Sequence, residues 1–116
     1  MKKDPKINIV FILECIEHIE HYLDNVNFER FLDSDILQDA VIRRIELIGE
    51  AVKNLPQSLI DSYPDVPWKR IAGMRDVLIH DYLGIDLDTT WQVVQNEISS
   101  LKKLLIQIRN DIEKNK

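Results

Sequence analysis

Three side chains suited to anion binding and proton transfer lie within six residues of each other, at Arg75, Asp76 and His80. Arg75 carries a permanent charge on a planar guanidinium. Asp76 and His80 are four residues apart, so on a helix the carboxylate can hold one imidazole nitrogen and leave the other to exchange protons. Arg75 and His80 are separated by about 140° around a straight helix axis. One helix therefore does not aim both at a small target, whereas two copies related by a two-fold axis could do so.

The helix predicted to carry these residues begins at Pro67 and ends at Gly84. Its apolar stripe passes through Arg75 and consists of Trp68, Ile71, Ala72, Leu78, Ile79 and Tyr82. This pattern predicts a guanidinium on the buried side of the helix, which is costly unless carboxylates, phosphates or waters pair with it. A purely structural alternative is that Arg75 pairs with Glu46 or Glu50.

His18 and His21 suggest a different chemistry on the first predicted helix. They lie about one turn apart, and Glu14 and Glu17 precede them at helical spacing. Such a group can coordinate a divalent metal on a helix surface. The alternative is an exposed polar face in which Glu–His pairs add a few tenths of a kcal/mol to helix stability.

The elements that must position these side chains are all predicted to be helices, because no segment sustains the alternation of a strand. The first should run from about Pro5 to Leu23, with a core stripe of Ile9, Ile12, Ile16, Ile19 and Leu23 widened by Phe11, Cys15 and Tyr22. After a polar connector, the second should start at an N-cap at Ser34 or Asp35 and end at Leu55. Its predicted buried set is Ile36, Leu37, Ala40, Val41, Ile48, Ala51 and Val52.

A short helix is predicted in PQSLIDSY, before the helix that carries Arg75. The last helix should start near Asp86 or Asp88 and continue to about Lys114, with a seam of Trp91, Val94, Ile98, Leu101, Leu105, Ile108 and Ile112. Gly49 and Gly73 both fall inside predicted helices, where glycine costs about 1 kcal/mol relative to alanine. We therefore expect helix crossings at both glycines. The fold class is predicted to be an all-α, up-and-down bundle of four to five helices, with residues 1–116 as one domain.

Composition restricts the function further. The 116 residues carry a net charge of -5 and a pI near 5.1, which disfavours a general nucleic-acid coat. The single Cys15 cannot form a disulfide within the chain, and no apolar run or signal-peptide pattern is present, so a cytoplasmic protein is expected. Phosphate loops, dinucleotide fingerprints, serine-hydrolase elbows and CxxC pairs are absent from the sequence. No cofactor and no metal are expected.

The segment WKRIAGMRDVLIHDY contains R-x-x-x-x-H-x-Y at Arg75, His80 and Tyr82, and it resembles the signature of HepT-like toxins of the HEPN superfamily. AVIRRIELIGEAVKNLP at residues 40–56, with Gly-Glu-Ala at 49–51, resembles the second-helix block of the same family. The two blocks and their flanking helices cover most of the chain. The resemblance is therefore to a whole domain.

The resemblance implies a helical bundle that forms a homodimer and cleaves RNA without a metal in a cleft holding Arg75 and His80 of both subunits. It also implies a type VII toxin–antitoxin pair, in which an MNT-type nucleotidyltransferase antitoxin neutralises the toxin by transferring AMP to the motif tyrosine, here Tyr82. In this reaction His80 suits either proton-transfer role, Arg75 would bind phosphate oxygens, and Asp76 would orient His80. The family often has Asn where this chain has Asp76.

An acidic chain still needs a local surface that can bind RNA. We expect Arg43, Arg44, Lys69 and Arg70 to form it with Arg75, if the second helix and the Arg75 helix adjoin. An alternative function is a non-catalytic helical adaptor that binds the nucleotidyltransferase partner. An adaptor should tolerate the loss of His80, whereas a ribonuclease should not.

Overall fold

A computed structural model describes residues 4–79 and 84–115 of the chain. Within those residues the regular elements are all helical, apart from an isolated bridge between Ile79 and Ile85, so the all-α prediction is confirmed. In chain order the α-helices are α1 (Pro5–Tyr22), α2 (Phe28–Leu32), α3 (Asp35–Lys53), α4 (Gln57–Ser62), α5 (Trp68–Ala72), α6 (Met74–Leu78), α7 (Leu87–Gln92) and α8 (Ser99–Lys114). A π-helical turn, Val93–Ile98, joins α7 directly to α8.

Side-chain caps mark where several of these helices begin. The Asp4 carboxylate accepts a hydrogen bond from the Lys6 amide at 3.0 Å, and the Ser34 hydroxyl accepts one from the Leu37 amide at 3.1 Å. Asp86 caps α7 in the same way, through the Thr89 amide at 3.0 Å. Each cap satisfies an amide that has no partner within its helix. The predicted starts at Pro5, Ser34 and Asp86 are confirmed.

The two long helices α1 and α3 form the centre of the bundle, and α8 packs on α1. The Asn8 side chain donates to the Asn54 carbonyl at 3.4 Å, while Arg44 donates to the Tyr22 hydroxyl at 3.2 Å. The start of α1 therefore meets the end of α3, so the two helices are antiparallel. Their fully buried side chains are Ile9, Ile12, Cys15, Ile16, Ile19, Val41, Ile45 and Ile48.

Two expected core positions are exposed, and one core residue was not expected. Ile36 is 82% exposed, because it lies in the first turn of α3, and Phe11 is 36% exposed on the outer side of α1. The polar connector after α1 contains the unpredicted helix α2, whose Phe31 is fully buried against Trp91 with ring centroids 5.4 Å apart. This five-residue helix has one buried residue, so it shows no repeat of apolar residues from which the 3.6-residue periodicity of a helix could be recognised.

The helix predicted over 67–84 is wrong as one element. It is broken at Gly73, which ends α5 and precedes α6, and α6 ends at Leu78 because Ile79 is extended. Ile79 instead pairs with Ile85 as an antiparallel bridge, and the Leu78 carbonyl accepts from the Asp86 amide at 2.7 Å. The apolar residues of the two short helices keep the spacing of a single helix, and for this reason the sequence pattern predicted one element.

The two interior glycines have different roles. Gly49 lies inside α3, and a Cβ built there would be 3.1 Å from the Ala72 carbonyl oxygen, so the predicted crossing at Gly49 is confirmed. A Cβ at Gly73 would meet only the Lys69 carbonyl, at 3.5 Å, so the predicted crossing at Gly73 is wrong. Among the residues described, no helix has both the length and the apolar character needed to span a bilayer.

Candidate active site

A groove of about 330 Å³ lies between α3 and the break that joins α5 to α6. One wall is a stripe along α3, formed by Arg43, Glu46, Gly49, Glu50 and Lys53. Positions 43, 46, 50 and 53 follow spacings of three and four, so they share one face of the helix, and Gly49 lies beside Glu50. The opposite wall contains Gly73, Arg75 and Asp76. Three cationic and three acidic side chains thus line the groove.

Gly49 sets how closely the two walls approach each other. A Cβ at this position would lie 3.1 Å from the Ala72 oxygen and 3.3 Å from the Ile71 oxygen. Both distances are tighter than ordinary packing, and both atoms belong to the main chain. The absence of a side chain at Gly49 therefore allows the end of α5 to rest on α3 and places α6 next to Glu46.

Arg75 lies on the outside of α6, not on a buried stripe as predicted. Met74 and Leu78 enter the core at 2% and 0% exposure, and Arg75 follows Met74 by one position, so it faces outward. Its side chain is 57% exposed. The Arg75 Nε lies 2.7 Å from Glu46 Oε2, which is the ion pair that the structural alternative proposed. The physical reason for the outward position is that Met74, three residues after the buried Ile71 and four before the buried Leu78, takes the core-facing position next to Arg75.

The other motif residues are described only in part. Asp76 is exposed and lines the groove beside Arg75. His80 and Tyr82 lie outside the described residues. The helix that carries Arg75 ends at Leu78, and the predicted separation of about 140° between Arg75 and His80 falls outside the described residues.

Of the four basic residues expected to bind RNA, one lines the groove, one is exposed nearby on α5 and two are hydrogen-bonded to side chains outside the groove. Arg43 lines the groove with Arg75, and Lys69 is exposed on α5. Arg44 instead donates from Nε to the Tyr22 hydroxyl at 3.2 Å. Arg70 pairs with Glu97 of the π-helical turn through Nε and through Nη2, the latter at 2.8 Å. Two of the four charges are therefore engaged by other elements.

These engaged charges shift the titration of their neighbours. The hydrogen bonds that Arg70 donates lower the pKa of the Glu97 carboxyl, and burial opposes this effect only in part. Burial raises the pKa of the Cys15 thiol, while the nearby Arg44 acts in the opposite direction. Cys15 is fully buried, so it is kept as a neutral core thiol.

The described residues contain no group of three or more His, Cys, Asp or Glu side chains placed to hold a metal ion. His18 and His21 are exposed on α1, and the His18 ring lies 6.0 Å from the Tyr22 ring, centroid to centroid. The groove carboxylates, Glu46, Glu50 and Asp76, also do not form such a group. Across residues 4–79 and 84–115, the site is therefore built from cations and single carboxylates.

Glu50 and Lys53 line the groove but were not expected there as functional residues. Their contact, 3.7 Å between Lys53 Nζ and Glu50 Oε1, lies on the same stripe as Arg43 and Glu46. The sequence feature that could have predicted this wall is the row of charged residues at positions 43, 46, 50 and 53, with Gly49 among them. An exposed polar stripe is usual for a surface helix, and only the packing of α6 turns it into a groove wall.

Comparison with known proteins gives a match over most of the chain. The profile of the family described as ribonuclease HepT-like matches residues 12–108. A Methanocaldococcus jannaschii protein named "Gamma-glutamylcyclotransferase and putative RNase" is 50% identical over 116 residues, which is 100% of this chain and 52% of that protein. The chain thus spans about half the length of that relative.

Other relatives are matched along nearly their whole length. A second Methanocaldococcus jannaschii protein, named "Putative RNase", is 41% identical over 112 residues, covering 97% of this chain and 93% of the relative. The "Probable ribonuclease HepT" of Thermococcus cleftensis is 42% identical over 109 residues, covering 94% and 99%. No solved structure matches the chain.

Proposed function

The chain belongs to the ribonuclease HepT-like family. On that premise we propose that it is a metal-independent endoribonuclease that uses Arg75, Asp76 and His80. The observation that supports this proposal is the Arg75 guanidinium, which is 57% exposed at the edge of the groove and paired with Glu46 of α3. An arginine in that position can present its donors to the phosphate of a bound RNA strand.

The reaction is an internal transfer within RNA. The 2′-hydroxyl oxygen attacks the adjacent phosphorus, a bond from phosphorus to O2′ forms, and the bond from phosphorus to O5′ breaks. The products are a 2′,3′-cyclic phosphate and a 5′-hydroxyl. One group must take the proton from the 2′-hydroxyl and another must return a proton to O5′. No metal is required if a fixed cation stabilises the charge that grows on the phosphate oxygens.

His80 and Arg75 are assigned to these tasks. An imidazole has an ordinary pKa of about 6.5, so His80 suits either proton-transfer role near neutral pH. Arg75 binds the non-bridging oxygens, and Asp76 orients the His80 ring. A second copy of the chain would supply the second imidazole, so we propose that the active species is a homodimer.

Control by a partner is the second half of the proposal. An MNT-type nucleotidyltransferase antitoxin would transfer AMP from ATP to the Tyr82 hydroxyl, forming a bond from the tyrosine oxygen to the α-phosphorus and releasing pyrophosphate. The added phosphate would place negative charge where RNA must bind. In this type VII toxin–antitoxin pair, the ribonuclease is a cytoplasmic toxin held inactive by modification.

Cleavage of RNA by the purified chain, in the presence of a chelator, tests the catalytic part. His80→Ala and Arg75→Ala should each reduce the cleavage rate by at least about 100-fold, the usual contribution of a general acid or base for His80 and of electrostatic stabilisation of the transition state for Arg75. His21→Ala, on the exposed side of α1, is the matched control and should cleave like the wild type. Cleavage that persists in both active-site variants would overturn the assignment.

Intact mass of the chain co-expressed with its nucleotidyltransferase tests the control mechanism. The expected result is one added AMP that is absent from Tyr82→Phe. Absence of both the modification and His80-dependent cleavage would favour the alternative function, a helical adaptor that binds the nucleotidyltransferase without catalysis.

A further inference from the structure

Glu46 is fixed in place more firmly than the arginine it contacts. It belongs to the 19-residue helix α3, and its neighbours Ile45 and Ile48 are buried at 1% and 0% exposure. The Glu46 side chain is 29% exposed, whereas the Arg75 side chain is 57% exposed and projects from the five-residue helix α6. In this ion pair the Glu46 carboxylate therefore has the more restricted position, and the Arg75 guanidinium is the more mobile group.

A half-exposed arginine on a short helix has many rotamers, and this freedom must be lost when the guanidinium meets the phosphate charge that develops in the transition state. The contact between Arg75 Nε and Glu46 Oε2, at 2.7 Å, restricts the guanidinium before RNA arrives. A guanidinium has five N–H donors, and a carboxylate takes at most two of them in a bidentate pair. Pairing with Glu46 thus leaves donors for phosphate oxygens.

We infer that Glu46 is a positioning residue for the ribonuclease reaction, holding the Arg75 guanidinium in the orientation that meets the charge developing on the phosphate. This inference rests on the proposed function. Glu46 acts through Arg75 and does not itself contact RNA. Its negative charge opposes binding of the RNA backbone, so its benefit is confined to the rate of cleavage.

Glu46→Gln should therefore affect the cleavage rate and the RNA affinity differently. The cleavage rate should fall, because the neutral amide holds the guanidinium weakly. RNA affinity should stay the same or increase, because one negative charge leaves the groove. A residue that merely supported the fold would change both in the same sense, through loss of folded protein.

The experiment compares Glu46→Gln with Asp39→Asn. Asp39 is an exposed carboxylate on the same helix, α3, and is not among the residues that line the groove, so its substitution removes the same charge away from the site. Single-turnover cleavage of a short RNA gives the rate, and binding of the 2′-deoxy analogue, which cannot react, gives the dissociation constant. We expect Glu46→Gln to slow cleavage about tenfold or more with unchanged or tighter binding, and Asp39→Asn to stay within about twofold of wild type.

Two further measurements keep the test independent of folding. The NMR resonance of the Arg75 Nε–H should shift in Glu46→Gln and not in Asp39→Asn, while both variants keep the wild-type melting temperature. In the Arg75→Ala background, Glu46→Gln should cause no further loss of rate, because the two residues act as one unit.

The inference is overturned if Glu46→Gln cleaves at the wild-type rate or faster, or if its effect adds fully to that of Arg75→Ala. Failure of the proposed function has a different signature. If the wild-type chain does not cleave RNA, both proposals fall together. If cleavage depends on Arg75 and His80 but not on Glu46, only the positioning role is wrong.

Discussion

Gly49 of α3 faces the main-chain carbonyl of Ala72 so closely that a Cβ at position 49 would lie 3.1 Å from the carbonyl oxygen. This approach brings the break between α5 and α6 against α3. The groove, and with it the contact between Glu46 and Arg75, lies at this crossing. Removal of the close approach should therefore affect both stability and RNA cleavage.

Gly49→Ala should lower the free energy of unfolding by about 1 kcal/mol. Overpacking against the Ala72 and Ile71 carbonyls costs about 1–3 kcal/mol, and the better helix propensity of alanine recovers about 1 kcal/mol. Urea unfolding measures the difference. Gly73→Ala is the control, because its Cβ would meet only the Lys69 carbonyl at an ordinary 3.5 Å, and it should be neutral or slightly stabilising. A stability gain in Gly49→Ala would contradict the crossing.

Arg43 and Arg70 should contribute differently to RNA binding. Arg43 lines the groove, whereas Arg70 is held by both carboxylate oxygens of Glu97. Arg43→Gln should weaken binding of single-stranded RNA and reduce the slope of log affinity against log salt by about 0.7, the value for one phosphate contact. Arg70→Gln should leave the slope unchanged. Equal changes of slope in the two variants would show that Arg70 leaves Glu97 to bind RNA.

Stability should decrease in acid because of Glu97. The hydrogen bonds from Arg70 lower its pKa in the folded protein, so its contribution is complete above the unfolded-state value of about 4.3 and is lost as pH falls through the lower, folded-state value. The two side chains are 48% and 33% exposed, so the contribution of the pair is about 0.5–1 kcal/mol.

Urea unfolding at a series of pH values from about 6 to about 3 measures this dependence, because that range includes the ordinary pKa of a glutamate carboxyl. The acid loss should be smaller in Glu97→Gln than in the wild type. Glu29→Gln, which changes an exposed carboxylate on α2, should follow the wild-type profile. Identical profiles for the wild type and Glu97→Gln would contradict a role of the Arg70 pair in acid stability.

Cys15 should be almost inert in the folded protein. It is fully buried, and burial raises the pKa of its thiol, so both access and the thiolate fraction are low. A disulfide reagent at mildly alkaline pH should react at least about 100-fold more slowly with the native chain than with the urea-unfolded chain. Because the sequence has one cysteine, the whole signal reports this site. Equal rates in the two states would show that the start of the bundle opens readily.

The sequence by itself determined the long elements and the family. Core stripes such as Ile9, Ile12 and Ile16 repeat over several turns, and the caps at Ser34 and Asp86 mark helix starts with local hydrogen bonds, so neither depends on distant parts of the chain. The motif at Arg75, His80 and Tyr82 is likewise a matter of residue type and order. These features could be read without knowing which helices meet.

Only the tertiary structure decided how Arg75 is used. The apolar pattern of the sequence placed it on a buried stripe, but Met74 and Leu78 are the residues of α6 that enter the core, and Arg75 is exposed. Likewise, Glu46 looks like any surface carboxylate until the close approach at Gly49 brings α6 alongside it. Short helices contain too few turns for periodicity to fix their rotation, so packing against a neighbouring helix chooses which side chains face the groove.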